Sequence, residues 1–440
     1  MTAHRVHTSS ATAPYDVVVL GGGASGLAAA ISAAHAGART CVLERDVAAG
    51  LPILATGNGR CNISNAHLET ARYRHPDVAA SIMGASPEHT VTRFFEQLGL
   101  LTIEEDEGRL YPITRRAESV RDVLLGACAR LGVDLRCSAE LVEAHPTNGN
   151  AWKLTLSEPA SPLRVRPGKD AKTAIRQARR ARETAARKTR DAHARSMVVA
   201  VGGASEEICR LLSLPHLPEQ AVLCPIGCTA ALPSAPALAE LDGLRCHTAL
   251  SLMRHGAAVA FESGEILFRP YGISGIAAFN LSRRIRPHDR IELDLLPHLG
   301  AGKTLDLLRA REEMVGPFDG DPAWFDGLLA RPLASYMCHA AGGNTATLAH
   351  IATLLQRVPL LVEGTAETRQ AQVRRGGIPL DAIDPSSLRL ATRTDTPALF
   401  ACGEALDMDA DCGGYNLAWA WLTGMRAGAE AARAAQTPSC

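Results

Sequence analysis

The sequence predicts an α/β fold in which a Rossmann-type nucleotide-binding domain is assembled from both ends of the chain. Two observations predict it. A glycine-rich turn joins an apolar strand to an Ala-rich helix near the N-terminus, and a second apolar strand ending in Gly-Glu lies near residue 400. Length agrees, since 440 residues exceed what one core accommodates and call for two or three domains.

Residues 1–14 are polar and irregular, the composition of a disordered N-terminus. Asp16 to Leu20 then reads as a buried parallel strand, followed by Gly21-Gly22-Gly23-Ala24-Ser25-Gly26. Leu27 to Ala36 reads as a helix stopped by Gly37, and Arg39 to Leu43 as a second strand ending at Glu44. Gly21 permits the tight turn, Gly23 lets the backbone approach a pyrophosphate, and Gly26 lets the helix lie close on the sheet. The N–H groups around Ala24 and Ser25, with the positive end of the helix dipole, face the phosphates. Glu44 stands where a carboxylate accepts hydrogen bonds from a ribose diol, with Arg45 beside it. This pattern binds a dinucleotide and by itself leaves FAD and NAD open.

Gly50 to Asn65 is too rich in Gly and Asn for a helix or strand, yet it lacks the bland polarity of a linker. Such a loop lays amides, including those of Asn58 and Gly59, around a flavin or its substrate. Arg60 is a candidate to neutralise a phosphate or an anionic reduced ring. Cys61 reads either as a reactive thiol or as a small packing residue. No second Cys lies five residues away, so a reductase dithiol is unsupported.

Pro397 to Glu404 is a further apolar strand, with Gly403 and Glu404 placed for the ribityl or pyrophosphate region. Gly413-Gly414-Tyr415-Asn416 enters a helix running from about Leu417 to Ala435, whose positive end would face the flavin pyrimidine. The two chain ends together favour FAD. Asp407, Asp409 and Asp411 alternate but lack the rest of a calcium loop, and they read as loop caps and surface.

In the middle of the chain, Phe94 to Leu98 and Ser119 to Leu131 read as helices, and Trp152 to Leu156 and Met197 to Val201 as strands. Val201-Gly202-Gly203 resembles a turn that comes back near the cofactor. Residues 164–195 carry twelve Lys or Arg against three Asp or Glu. They read as a helical or disordered surface excursion, or as a patch for an acidic partner. Cys224 to Phe268 is β-rich, residues 300–356 are mostly helical, and Val358 to Val362 reads as a strand returning to the nucleotide-binding domain.

Thr56-Gly57-Asn58-Gly59-Arg60-Cys61-Asn62 and Asp411-Cys412-Gly413-Gly414-Tyr415-Asn416, with the glycine turn, resemble one flavoprotein family. Gly108-Arg109-Leu110-Tyr111-Pro112 and Tyr271-Gly272-Ile273-Ser274-Gly275 match it too. This is the bacterial NAD(P)/FAD-dependent oxidoreductases of the aminoacetone-oxidase-like type, which also include a bile-acid-inducible flavoprotein reductase. The resemblance spans about Asp16 to Ala431. It implies a split FAD domain with a β-barrel-like insert and a smaller helical insert. The expected division is 15–205 for the first FAD part, with 159–195 inserted in it, then 206–280 β-rich, 281–356 helical and 357–440 for the second FAD part. Where the family has Thr-His before the Tyr-Gly-Ile-Ser-Gly run, this chain has Arg269-Pro270, so another proton donor is needed, with Tyr271 the candidate.

Net charge is zero, aromatic residues make up 4%, and the twelve Cys include no C-x-x-C pair. A global pull toward nucleic acid or membrane, a stacking platform for single strands, and a zinc site are all disfavoured. The expected protein is a cytoplasmic FAD-dependent oxidoreductase acting on a small molecule, with NADPH or NADH as donor and no metal. The preferred reaction is reduction of a C=C bond beside a carbonyl. Oxidation of a small amine or amino ketone by O₂, and RNA modification through the basic segment, are the alternatives.

Overall fold

The computed structural model describes residues 13–147, 150–163, 170–232, 234–300, 302–391 and 396–437. The expectation for 1–14 and the first part of the basic segment therefore fall mostly outside the described residues. The chain divides into two compact units, one made of Met1–Gln220 with Arg374–Cys440 and the other of Ala221–Val373.

The first unit is built on a mixed sheet. Strand β1 (Tyr15–Leu20) leads into helix α1 (Ala24–His35) and then strand β2 (Thr40–Glu44). β1 pairs in parallel with β2 on one side and with Arg187–Val199 on the other. Asp134–Cys137 adds to β2, and Ala398–Ala401 from the far end of the chain pairs with Arg187–Val199, both in parallel. Val17, Val18, Val19 and Leu20 are buried together, which is why the strand reads as a continuous apolar run.

The long strand Arg187–Val199 changes partners along its length. Ala194 to Val199 lies in the parallel sheet, whereas Arg187 to Ala194 pairs antiparallel with Trp152–Pro159, which pairs in turn with Glu140–Pro146. Within the basic segment the described part is thus a helix, Ala171–Thr184, followed by strand. The helical reading of 187–195 is corrected, because ladder pairing outweighs the Arg-rich composition there.

The C-terminal helix Tyr415–Gln436 crosses α1 at very close range. A Cβ at Gly424 would lie 2.4 Å from Ser25 O, and one at Gly428 would lie 2.0 Å from Ala29 O. Glycines one turn apart put the two backbones in contact, helped by Ala28, Ala29, Ala427 and Ala431.

The second unit is a closed barrel of Ile226–Ala230, Gly272–Ser274, Ala257–Arg269, Arg245–Arg254, Arg290–Asp294 and Val358–Thr365. Leu250, Leu252, Ile266, Phe268, Ile291, Leu293, Leu360 and Val362 are among its core residues. Helices Lys303–Val315, Arg331–Ala341 and Leu348–Gln356 occupy the connection before the last strand. That last strand corrects an expectation. Val358 to Val362 does not return to the nucleotide-binding sheet but closes the barrel, pairing with Ile226–Ala230 and Arg290–Asp294. Barrel closure satisfies both of its edges. Among the described residues no helix is long and apolar enough to cross a membrane.

The helix crossing yields a prediction. Gly428→Val forces branched carbons into the Ala29 backbone and is expected to cost about 1–3 kcal/mol. A urea melt checks this, and an unchanged midpoint would mean that the helices separate without penalty.

Candidate functional site

Geometry at the first turn separates the glycines by role. Gly21 has φ +103°, and a Cβ there would meet Ala200 O at 2.4 Å. A Cβ on Gly26 would lie 1.9 Å from Gly21 O. Gly23 differs from both: its φ of −80° suits any residue, and an added Cβ would meet nothing within 4 Å. Neither backbone strain nor packing calls for glycine at that position. The space it leaves open lies at the N-terminus of α1, which has no side-chain cap and no acid in its first turn. A cradle of amide donors kept clear of side chains fits a pyrophosphate, and so fits FAD.

Glu44 closes the turn from the other side. Its Oε2 accepts from Gly22 N at 2.8 Å and its Oε1 from Asp46 N at 2.7 Å. Each oxygen keeps a second lone pair for ribose hydroxyls. Arg45 is exposed. Ser25 is buried, and a Cβ on Gly403 would sit 2.3 Å from Ser25 Oγ, so the turn also abuts the C-terminal strand.

The loop after β2 is set by left-handed backbone at Gly57, Asn58, Gly59 and Cys61, with Cys61 N bonded to Thr56 O. Asn58 is exposed at its tip. Arg60 is not a free cation: it pairs with Glu105 at 2.6 Å and lies 4.2 Å over the Tyr111 ring. Arg115 and Arg60 together hold the Glu105 carboxyl below its ordinary range. Cys61 is fully buried, and burial pushes its thiol up to about 12. A buried neutral thiol is a packing residue rather than a nucleophile.

Hydrogen bonds join this loop to the C-terminal one. Asn65 Nδ2 donates to Gly413 O at 3.1 Å, and Trp421 Nε1 donates to Ile63 O at 3.0 Å. Asn62, oriented by its neighbours, donates to Ser64 O at 2.8 Å and accepts from Gly414 N at 3.1 Å. Gly414 lies against Ser64, whose carbonyl would be 2.3 Å from a Cβ. Asn416 holds the preceding loop by accepting from Ala410 N and donating to Ala410 O, both at 2.9 Å. Tyr415 O accepts from Tyr73 OH at 2.8 Å. The helix that starts here has no side-chain cap either. The structure thus gathers Gly413, Gly414, Tyr415 and Asn416 beside residues 56–65.

Glu404 meets the Gly202–Gly203 turn. Its Oε1 accepts from Arg374 N at 2.6 Å and its carboxylate also bonds the Gly203 amide. Gly202 has φ +69°. Burial pushes the Glu404 carboxyl up to about 7 despite these donors.

The three aspartates correct a third expectation. Asp407, Asp409 and Asp411 are buried rather than surface caps. Asp407 pairs with Arg74 at 2.5 Å, Asp409 with Arg375 at 2.7 Å, and Asp411 with Arg72 at 3.6 Å. The three arginines went unnoticed in the sequence. Their one signal was three acids in an otherwise apolar stretch, since buried carboxylates need partners. Among the described residues no cluster of His, Cys, Asp or Glu is arranged to hold a metal.

In the barrel unit, Tyr271 hydrogen-bonds Glu367 and Arg269, and Arg269 pairs with Asp242 at 3.2 Å. Burial and Glu367 raise the Tyr271 hydroxyl above its ordinary value, keeping it protonated.

Glu404 gives a pH prediction. A carboxyl with a higher pKa folded than unfolded holds its proton more tightly in the native state, so stability falls as pH rises from the ordinary carboxylate range through about 7. In protein stripped of cofactor, the melting temperature of wild type minus that of Glu404→Gln is expected to drop across this window. A constant difference would contradict the shift.

Two models of one family match the chain, the HI0933-like protein Rossmann domain over 15–165 and the HI0933-like protein barrel and H2TH domain over 220–373. A 3-dehydro-bile acid delta(4,6)-reductase of Clostridium scindens is 27% identical, covering 94% of this chain and 98% of that protein. A ribosomal RNA dihydrouridine synthase of Haemophilus influenzae is 22% identical, covering 92% and 95%. Among solved structures, a flavocytochrome c3 fumarate reductase in an open conformation aligns with TM-score 0.45 and 12% identity, covering 98% of this chain and 80% of that one. The two family models together cover more than half of the chain, and the glycine cradle, the ribose acid and the paired C-terminal loop stand in the first of its units. The chain belongs to the HI0933-like family and is an FAD-dependent oxidoreductase.

Proposed function

We propose that this enzyme uses NADPH or NADH to reduce a C=C bond conjugated with a carbonyl. The observation that carries the reading is the end-to-end match to two relatives whose names both describe saturation of such a bond, in a bile acid ring and in uridine. FAD, when bound, supplies hydride transfer between the nicotinamide and the acceptor. The chain's residues do the rest. Gly23 and the α1 amides would receive the pyrophosphate of FAD, and Glu44 would accept from its ribose. Glu404 and Gly202 would lie along FAD, and the uncapped start of the C-terminal helix would stabilise negative charge on its ring. Tyr271, kept protonated beside Glu367, gives the proton that completes saturation. The location proposed is the cytoplasm.

A second reading, a ribosomal RNA substrate, is favoured by one further observation. Lys172, Arg176, Arg180, Lys188 and Arg190 are exposed and make no ion pair among the described residues. Such a set suits a phosphate backbone.

Anaerobic mixing of the holoenzyme with NADPH or NADH is expected to bleach the flavin, and a cyclic enone to restore its colour. Tyr271→Phe should leave the bleaching intact and slow reoxidation by the enone roughly 100-fold. Reduction only by an amine, with reoxidation only by O₂, would overturn the proposal in favour of an oxidase. Salt-sensitive binding of ribosomal RNA, weakened when the five cations are changed to Gln, would favour the second reading.

A further inference from the structure

The inserted helix Ala171–Thr184 has no part in the site as described, yet its Arg179 reaches the turn that carries Glu44. Arg179 grips Asp46 with a fork: Nε lies 3.0 and 3.1 Å from the two carboxylate oxygens, and Nη2 lies 2.6 Å from Oδ2. Asp46 is two residues past Glu44, and its amide donates to Glu44 Oε1. One residue thus ties the inserted helix to the ribose carboxylate. Burial raises the Asp46 carboxyl, but the Arg179 bond and the Val47 amide outweigh it and leave the group below its ordinary range.

A second anchor lies alongside. Arg182 pairs with Glu140, which Arg187 also approaches at 3.8 Å. Glu140 follows a segment that is itself bonded to the turn, with Ser138 N donating to Asp46 O at 2.8 Å and Ala139 N to Glu44 O at 3.0 Å. The backbone of Glu44 and Asp46 is therefore held by Ser138 and Ala139, and the Asp46 carboxylate by Arg179. Both anchors lead from the same face of the helix, since Arg179 and Arg182 are three residues apart.

We propose that Arg179 is a positioning residue for FAD: through Asp46 it fixes Glu44 in the geometry that accepts the ribose hydroxyls and cancels the charge of the neighbouring carboxylate. The proposal rests on the assignment of this turn to the adenosine end of FAD. Without the fork, Glu44 keeps its amide donors but gains the freedom of a loop. Asp46 then keeps only the Val47 amide and the more distant charge of Arg182, and its negative charge beside Glu44 is less well balanced. Both changes weaken cofactor binding, and the second does so in a salt-dependent way.

The test is FAD binding, measured on holoenzyme stripped and reconstituted, by quenching of flavin fluorescence at low and high salt. Arg179→Gln is expected to raise the FAD dissociation constant about fivefold at low salt, with the gap narrowing as salt screens Asp46. Arg179→Lys should recover part of the loss, as a cation without a fork. Asp46→Asn combined with Arg179→Gln should bind better than Arg179→Gln alone, because the unpaired charge is gone. Glu183→Gln, on the same helix and without an ion pair among the described residues, should bind as wild type does. If wild type binds FAD and Arg179→Gln binds it equally well at all salt concentrations, the proposal is overturned. Equal loss from Glu183→Gln, or no gain in the double variant, would overturn it too by reducing Arg179 to general support of the fold. If stripped wild type takes up no FAD, the underlying cofactor assignment fails instead, which is a separate result.

Discussion

The contact on which the rest of the first unit depends is the backbone-to-backbone crossing of α1 and the C-terminal helix. Gly424 and Gly428 admit Ser25 O and Ala29 O where any side chain would collide. Such proximity gathers many weak dispersion contacts, and it fixes position more tightly than interleaved large side chains would. Other links follow from it. Ser196 Oγ reaches Ala431 O, Gly403 N donates to Thr423 Oγ1, and Trp419 Nε1 donates to Gly403 O. The glycine turn and the Gly-Glu strand thereby face the same region although nearly four hundred residues of chain separate them.

Charge sets the second level of order. Three carboxylates within five residues would repel one another and pay a heavy desolvation penalty in a buried loop. Arg74 and Arg72 come from one segment and Arg375 from another, so neutralising the acids also draws those segments to the loop. Buried pairs of this kind add little net stability, and their worth lies in geometry. Here they set the approach to Gly413 and Gly414, which the amides of Asn62 and Asn65 complete.

The parts legible in the sequence were those governed by local rules. A strand, a glycine turn, a helix and an acid at fixed spacing leave few alternatives, and β1, α1 and β2 follow from them. The parts that were not legible turn on partners far away in sequence. Val358 to Val362 is a short apolar run that suits a barrel as well as a parallel sheet, and only pairing decides between them. Asp409 reads as a surface acid until Arg375 is placed beside it. Arg187 to Ala194 looks like a continuation of a charged helix, and Trp152 to Pro159 makes it a strand. Gly424 and Gly428 were simply two residues of a helix, since nothing local announces a crossing.

The division of the chain has a consequence for how the protein is made. The barrel unit is contiguous, Ala221–Val373, and every strand that closes it has been synthesised before Arg374 is added. The other unit cannot close then, because the strand Ala398–Ala401 and the helix that crosses α1 are made after the barrel. Domains whose sequence is complete fold during synthesis. The barrel is thus ready early, while the strand Arg187–Val199 waits with an unpaired edge and α1 with an uncovered face until Ala398–Ala401 and the C-terminal helix have been made. Cofactor capture in that sense waits for the C-terminal strand and helix, and chaperone demand falls on the N-terminal half rather than on the barrel.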